Sequence, residues 1–101
     1  MYNFDMKPQR HIDSHILDMA RNRACLVCNR RGPSDPHHLR SRGAGGGDYE
    51  WNVVSLCRSC HTEIHKLGTN RFLEKYGRLR DWMIDRGWVF EAVRGKWAYQ
   101  K

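Results

Sequence analysis

A small α+β domain closed around a four-cysteine zinc site is the fold class that this sequence predicts, and three observations predict it. Two C-x2-C pairs, Cys25/Cys28 and Cys57/Cys60, stand 28 residues apart, the pattern of two metal knuckles. Apolar residues recur with helical spacing in some stretches and alternate or cluster as β-branched runs in others. At 101 residues the chain is shorter than an average domain, so one unit with a thin core is expected. Its hydrophobic fraction is only 40%, but three Phe, four Trp and four Tyr argue against a disordered chain. A disulfide framework competes with zinc for the cysteines. A C-x2-C pair bridges internally only under tight geometry, and the opening MYNFDMKPQR lacks the apolar run of an export signal. A reducing, cytoplasmic setting and structural zinc are therefore expected, the ion supplying on the order of 10 kcal/mol to a fold too small to stabilise itself by burial.

The elements follow in order. Pro8 suits a first helical turn, and Ile12, Ile16 and Met19 repeat at i, i+4 and i+7, so a helix is expected over 8–23. Residues 29–35 (NRRGPSD) read as turn, 37–40 as a short strand, and the glycines of 43–48 (GAGGGD) as the flexible tip of a hairpin. The run WNVVSL at 51–56 is the returning strand and ends at the second knuckle. A helix is expected over 59–66 and another over 70–86, with Phe72, Tyr76, Leu79 and Met83 on one face. Gly77 costs that helix ~1 kcal/mol and marks where it can split, and Gly87 is placed to end it. The tail from Trp88 alternates around a two-residue Arg-Gly turn and reads as a closing hairpin, with Trp82, Trp88, Phe90 and Trp97 as C-terminal core. A single domain over 1–101 thus comprises an N-terminal helix (8–23), a zinc-stapled core (25–66) and a C-terminal helix and hairpin (70–100).

Five polar residues bracket the predicted hairpin and the helix after it. His61 and His65 stand at i, i+4, which puts both imidazoles on one helix face within reach of one divalent ion. His37 and His38 are adjacent on an extended segment and point to opposite faces, so one can bind a metal while the other stays free. A free neutral histidine beside a bound cation is what hydrolysis needs: a base near pKa 7 to deprotonate water and a charge to stabilise the transition state. Asn52 opens the second strand. His11 and His15 share the i, i+4 spacing but sit among Ile12 and Ile16 without a third ligand nearby, and read as structural.

The run PHHLRSRGAGGGD…WNVVSLCRSCHTEIH resembles the HNH, or ββα-metal (His-Me finger), endonuclease motif in its zinc-knuckled form, over about Cys25 to His65. The double histidine and the HxxxH helix resemble the colicin-type DNases; the two knuckles resemble zinc-stapled phage and restriction HNH enzymes, and the tail resembles small phage or prophage nucleases. The resemblance implies a ββα-metal core with flanking helices. It implies that His38 is the general base, that His37, His61 and His65 hold a catalytic divalent cation (Mg²⁺, Mn²⁺, Ni²⁺ or Zn²⁺), and that Asn52 keeps the two strands in register and so orients His38. Cys25, Cys28, Cys57 and Cys60 would hold the structural zinc.

Charge points to the partner. Eighteen Lys and Arg against eleven Asp and Glu give a net +7, which attracts a polyanion. Double-stranded DNA is the expected substrate, with Arg40 and Arg42 favoured as phosphate contacts by their nearness to His38. A second basic group, Arg71, Lys75, Arg78 and Arg80, flanks the same candidate site. No apolar run approaches the ~20 residues of a membrane span. One His38 per chain gives one hydrolytic centre, and there is no long heptad repeat, so a monomer or weak dimer that nicks one strand is expected. The competing reading is a zinc-ribbon-like module that holds nucleic acid without cutting it.

Overall fold

The computed structural model describes residues 10–100. Its elements are α1 (Ser14–Asn22), β1 (Asp35–His38), a 3-10 turn (Arg42–Ala44), β2 (Val53–Leu56), α2 (Arg58–Leu67), α3 (Thr69–Lys75), α4 (Gly77–Arg86), β3 (Trp88–Glu91) and β4 (Lys96–Tyr99). The described residues make a small α+β fold of two antiparallel two-stranded ribbons and four helices. Among the described residues no helix is long and apolar enough to cross a membrane.

The N-terminal helix is shorter than its expected span of 8–23. Pro8 lies outside the described residues, and residues 10–13 are not helical, because tertiary hydrogen bonds claim them. Asp13 donates its backbone N–H to Asp48 Oδ2 at 2.9 Å, and Asp48 donates its own N–H to the His11 carbonyl at 2.8 Å. Asp13 then caps α1, its Oδ1 accepting from the N–H groups of His15 and Ile16. Ile12, assigned to the apolar stripe by spacing, stands before the helix and is 71% exposed.

β1 pairs with β2 in the register Asp35↔Leu56, Pro36↔Ser55, His37↔Val54, His38↔Val53. The strand therefore starts two residues before the expected 37–40. Cross-strand partners share a face, so Asp35, His37, Val54 and Leu56 form one side of the ribbon, and Pro36, His38, Val53 and Ser55 the other. The second side receives α1: Ser55 Oγ donates to the Ala20 carbonyl at 2.7 Å. The first side receives α2. All four residues of β2 are buried, which is why its sequence does not alternate; the one polar side chain, Ser55, has its hydroxyl satisfied by Ala20.

The glycine stretch, expected as a flexible tip, is packed. Gly46, Gly47 and Asp48 are buried, and a Cβ on Gly46 would lie 1.7 Å from the Arg40 carbonyl oxygen. Only a residue without a side chain allows the backbone to fold back this closely. The loop is closed by stacked rings, His11 on Tyr49 at 4.5 Å, Tyr49 on Trp51 at 5.0 Å and Trp51 on Tyr99 at 3.6 Å, which join the N-terminal segment to the last strand.

The long helix expected over 70–86 is two. Tyr76 leaves the helical region (φ −126°, ψ 87°) and Gly77 opens α4, so the glycine separates the segments instead of being absorbed. Phe72, Leu79 and Met83 are fully buried and meet Leu56, Ile64, Leu73 and Trp88 in one core that also includes Cys25, Cys57 and Cys60. Gly87 ends α4 at φ 110°. The closing hairpin forms, but residues 92–95 make a four-residue connection between Glu91 and Lys96 in place of the two-residue turn. Of the aromatics assigned to its core, Trp88 is 4% exposed, whereas Phe90 is 43% exposed and lies outside it.

The packed loop sets up a stability test. Gly46→Ala drives a methyl into backbone that cannot move aside and should cost at least ~2 kcal/mol in urea unfolding. Gly43→Ala, where the nearest atom to the new Cβ is Ser41 Oγ at 4.0 Å, should stay within ~0.5 kcal/mol. Equal effects at the two positions would contradict the packed loop.

Candidate functional site

The two knuckles converge. The Sγ atoms of Cys25, Cys28, Cys57 and Cys60 all lie within 4.8 Å of one another, with Cys28 and Cys57 3.6 Å apart. Four sulfurs around a tetrahedral zinc at ~2.3 Å stand about 3.8 Å from each other, so the donor set and spacing fit that ion. Local backbone produces the arrangement. Asn29 adopts a left-handed turn (φ 64°) and donates its N–H to the Cys25 carbonyl, and Cys25 donates to the Arg30 carbonyl, folding the first knuckle back on itself. Leu26 donates to the Ser55 carbonyl at 2.9 Å and pins that knuckle to β2.

Burial raises the Cys25 thiol pKa, but backbone hydrogen bonds from Cys28, Cys57 and Val27 outweigh it and bring it to about 7. Cys60 is pushed strongly up, by burial and then by Cys57 and Cys25. Several thiolates cannot share so small a space without a cation between them. The four cysteines are thus positioned to bind a metal ion, with zinc the fitting one.

Cys57 also caps α2, its Sγ accepting from the Cys60 N–H, so the knuckle fixes where the helix starts. From that start α2 presents His61 and His65 one turn apart towards His37 on the first side of β1. One ligand atom from each of the three lies within 4.8 Å of the others, and the Nε2 atoms of His61 and His65 are 3.1 Å apart. Asp35 Oδ2 stands 3.0 Å from His61 Nδ1. A carboxylate can only accept, so His61 donates from Nδ1 and its Nε2 lone pair is turned into the cluster. Burial first, and then the neighbouring His61, His65 and His38, hold the His37 pKa down at about 3. His37 is thereby kept neutral, the form in which an imidazole ligates metal.

His38 faces the other way. Its Nε2 lies 2.7 Å from Asp48 Oδ1, and Asp48 is 1% exposed. Burial would raise the Asp48 pKa, but hydrogen bonds from His38 and the Asp13 N–H, with the charges of His38 and Arg10, bring it below the usual carboxylate range. The ionised Asp48 accepts from His38 Nε2–H, which leaves His38 Nδ1 as the ring's free acceptor. Arg10 Nη1 completes the group at 3.3 Å from Asp48.

Asn52 is fully buried and bonds only to backbone. It accepts from Arg40 N–H at 2.7 Å and donates to the carbonyls of Arg40 and Gly47 at 3.1 and 3.0 Å. It braces the end of β1 against the glycine loop that delivers Asp48. Arg40 and Arg42 are exposed and have no ion-pair partner among the described residues. The structure therefore brings His37, His61 and His65 together, sets His38 apart with Asp48, and leaves Arg40 and Arg42 on the surface. Sequence reasoning missed Asp35 and Asp48. The signal for Asp48 was its place at the end of GAGGGD, four residues before Asn52; Asp35 stands two residues before His37, the spacing that shares a face on a strand.

The family described as "Protein of unknown function (DUF968)" matches residues 2–86. Anaredoxin of Nostoc sp. strain PCC 7120 is 40% identical over 43 residues, which make up 42% of this chain and 57% of that protein. The chain thus covers little more than half the length of that relative. No solved structure matches the chain significantly.

Two measurements test the site. Metal analysis of purified protein should give about one zinc per chain, and Cys57→Ala should lose both the zinc and the cooperative melting transition; an unchanged Tm would remove the metal from the fold. His37 binds a proton near pH 6.5 when unfolded and only near 3 when folded, so the unfolded state holds more protons between these values. Its contribution to stability is present above pH 6.5 and is lost as the pH falls towards 3. The Tm of the wild type should therefore drop more steeply over that window than that of His37→Gln.

Proposed function

The chain belongs to DUF968, a family of unknown function, and we propose from its site that it is a metal-dependent DNA endonuclease of the zinc-stapled ββα-metal kind. The observation that carries the reading is the split between neighbouring histidines. His37 joins His61 and His65 in a cluster of metal-ligand size on one side of β1, while His38, on the other side, is held by a buried carboxylate. The order β1, β2, α2, with His37 on the first strand and His61 and His65 on the helix, supports the reading. A zinc-ribbon-like module that only holds nucleic acid would need the four cysteines and the basic surface, and would leave both histidine groups without a task.

In this reading His38 Nδ1 takes a proton from a water molecule, and the resulting hydroxide attacks the phosphorus in line. The bond to the 3′ oxygen breaks and that oxygen takes up a proton from solvent water, giving 5′-phosphate and 3′-hydroxyl ends, while His38 returns its proton to solvent. Asp48 holds the His38 ring in the tautomer that leaves Nδ1 free and stabilises the imidazolium formed by proton uptake. His37, His61 and His65 would hold a divalent cation, which when bound supplies charge to the phosphoryl oxygens and the leaving oxygen. Asp35 keeps His61 directed at that position, and Arg40 and Arg42 contact flanking phosphates. DNA is the partner, and one centre per chain cuts one strand at a time.

The test is a time course on supercoiled plasmid with a panel of divalent cations at limiting enzyme. Open circles should accumulate before linear product. His38→Ala should cut ~10²–10⁴-fold more slowly while keeping its affinity for DNA; His61→Ala should lose the response to added cation. A His38→Ala protein that cuts like the wild type, or a wild type that cuts with no cation in the panel, would defeat the reading.

A further inference from the structure

A groove of about 540 Å³ opens between the end of α2, the start of α3 and the C-terminal hairpin, and no histidine lines it. Leu39, Leu67 and Trp97 give it apolar walls; Asn70, Arg71 and Lys96 give it polar and cationic edges. Its position follows from β1 and α2. Leu39 N–H donates to the Asn52 carbonyl, which continues the ribbon one residue past the strand, so strand alternation puts Leu39 on the side of His37. Leu67, at the end of α2, adds a second wall. Through Leu39 the groove therefore lies on the side of the β1–β2 ribbon that carries His37. Asn70 Nδ2 donates to the Gly95 carbonyl at 2.9 Å and ties its two walls together.

The charge around this groove is one-sided. Arg58, Lys75, Arg80, Arg86 and Arg94 all lie against carboxylates. Arg71 and Lys96 have no ion-pair partner among the described residues, and no acidic side chain lines the groove. Glu91 stands opposite Lys96 in the hairpin but contacts Arg94 and Gln100 instead. Cations without an ion-pair partner flanking an apolar slot call for a ligand that is anionic along its length and flat in between. A nucleic-acid strand answers both requirements, but a continuous duplex does not, because its base faces are stacked on one another and only phosphates and edges reach a protein surface.

We propose that this groove holds the DNA strand next to the cut, with an unpaired base against Trp97 and neighbouring phosphates on Arg71 and Lys96. The substrate class is then DNA with unpaired nucleotides beside the scissile bond, such as a flap or a locally melted segment, rather than uninterrupted duplex. The inference rests on the nuclease reading for its partner and goes beyond it in naming the form of DNA.

Binding is measured apart from cutting, by fluorescence anisotropy with zinc-loaded His38→Ala protein and no added divalent cation. The probes are a short labelled single strand, a blunt duplex of the same sequence and that duplex carrying an unpaired flap. The single strand and the flapped duplex should bind about ten-fold or more tighter than the blunt duplex. Trp97→Ala should lose most of that preference, since stacking of one base is worth on the order of ten-fold in affinity, and Trp97→Tyr should keep it. Arg71→Ala combined with Lys96→Ala, both exposed, should lower the slope of log affinity against log salt by about 1.4 for single strand, at ~0.7 per lost phosphate contact. If Trp97→Ala fails to fold, the Arg71/Lys96 pair decides alone. A blunt duplex bound as tightly as the flapped one, or an unchanged salt slope, would overturn the groove. A wild type that cuts no DNA would overturn the nuclease reading and leave these binding results to be judged by themselves.

Discussion

Four thiols brought within 4.8 Å of one another at the start of α2 are the constraint from which the rest of the structure is built. Three of them lie in the same core as Leu56, Ile64 and Phe72, so the metal-binding cluster and the hydrophobic interior are one object. The arrangement fixes three things together. It sets the helix start through the Cys57 cap, seats the first knuckle on β2 through Leu26 and Ser55, and closes the chain segment that contains His37, His38 and Asp48. Without a cation this packing sets sulfur against sulfur in a buried place, and burial first, then Cys57 and Cys25, push the Cys60 thiol up. With zinc the same closeness would become bonding, and the ion would supply stability that so small a core lacks.

The division of the histidines follows from strand geometry alone. Alternation sends His37 and His38 to opposite sides of a ribbon only two strands wide, and each side then acquires its own carboxylate: Asp35 by way of His61, and Asp48 directly. Those two environments differ in what they do to an imidazole. On the α2 side, burial among three rings keeps His37 uncharged without any acid touching it. On the α1 side, a buried anion fixes which nitrogen of His38 carries the proton. A pair of neighbouring residues thus receives two distinct chemistries with no insertion between them.

How much of this could be read from the sequence depends on the range of the interaction involved. The cysteine pairs, the HxxxH helix and the terminating Gly87 are governed by spacing within a few residues, and they stand where spacing puts them. The errors have a common physical origin in contacts between distant residues. α1 lost its first turns because Asp48 claims Asp13 and His11, an effect invisible to helical periodicity. The glycine stretch looked mobile because its composition is that of a turn. Its rigidity comes from Arg40 backbone lying against Gly46 and from rings contributed by His11, Tyr49, Trp51 and Tyr99. The split at Tyr76 was marked by Gly77, but propensity could not decide between a weakened helix and two helices.

Asp48 shows why the flexible-tip reading of the loop and the omission of this residue from the candidate site were a single mistake. A carboxylate 1% exposed is expensive to bury unless donors replace its water. Here three do so: His38, the Asp13 backbone and Arg10, drawn from β1 and from the N-terminal segment. A mobile tip could not hold all three, because each bond has its own direction and a loop sampling many conformations would leave the charge unpaired in most of them. The packing of Gly46 and Gly47, and the Asn52 bonds to Arg40 and Gly47, are therefore what makes the buried anion tolerable. Rigidity in a glycine-rich loop is here the condition for placing a charge beside His38, and the glycines provide it by letting backbone approach backbone rather than by permitting motion.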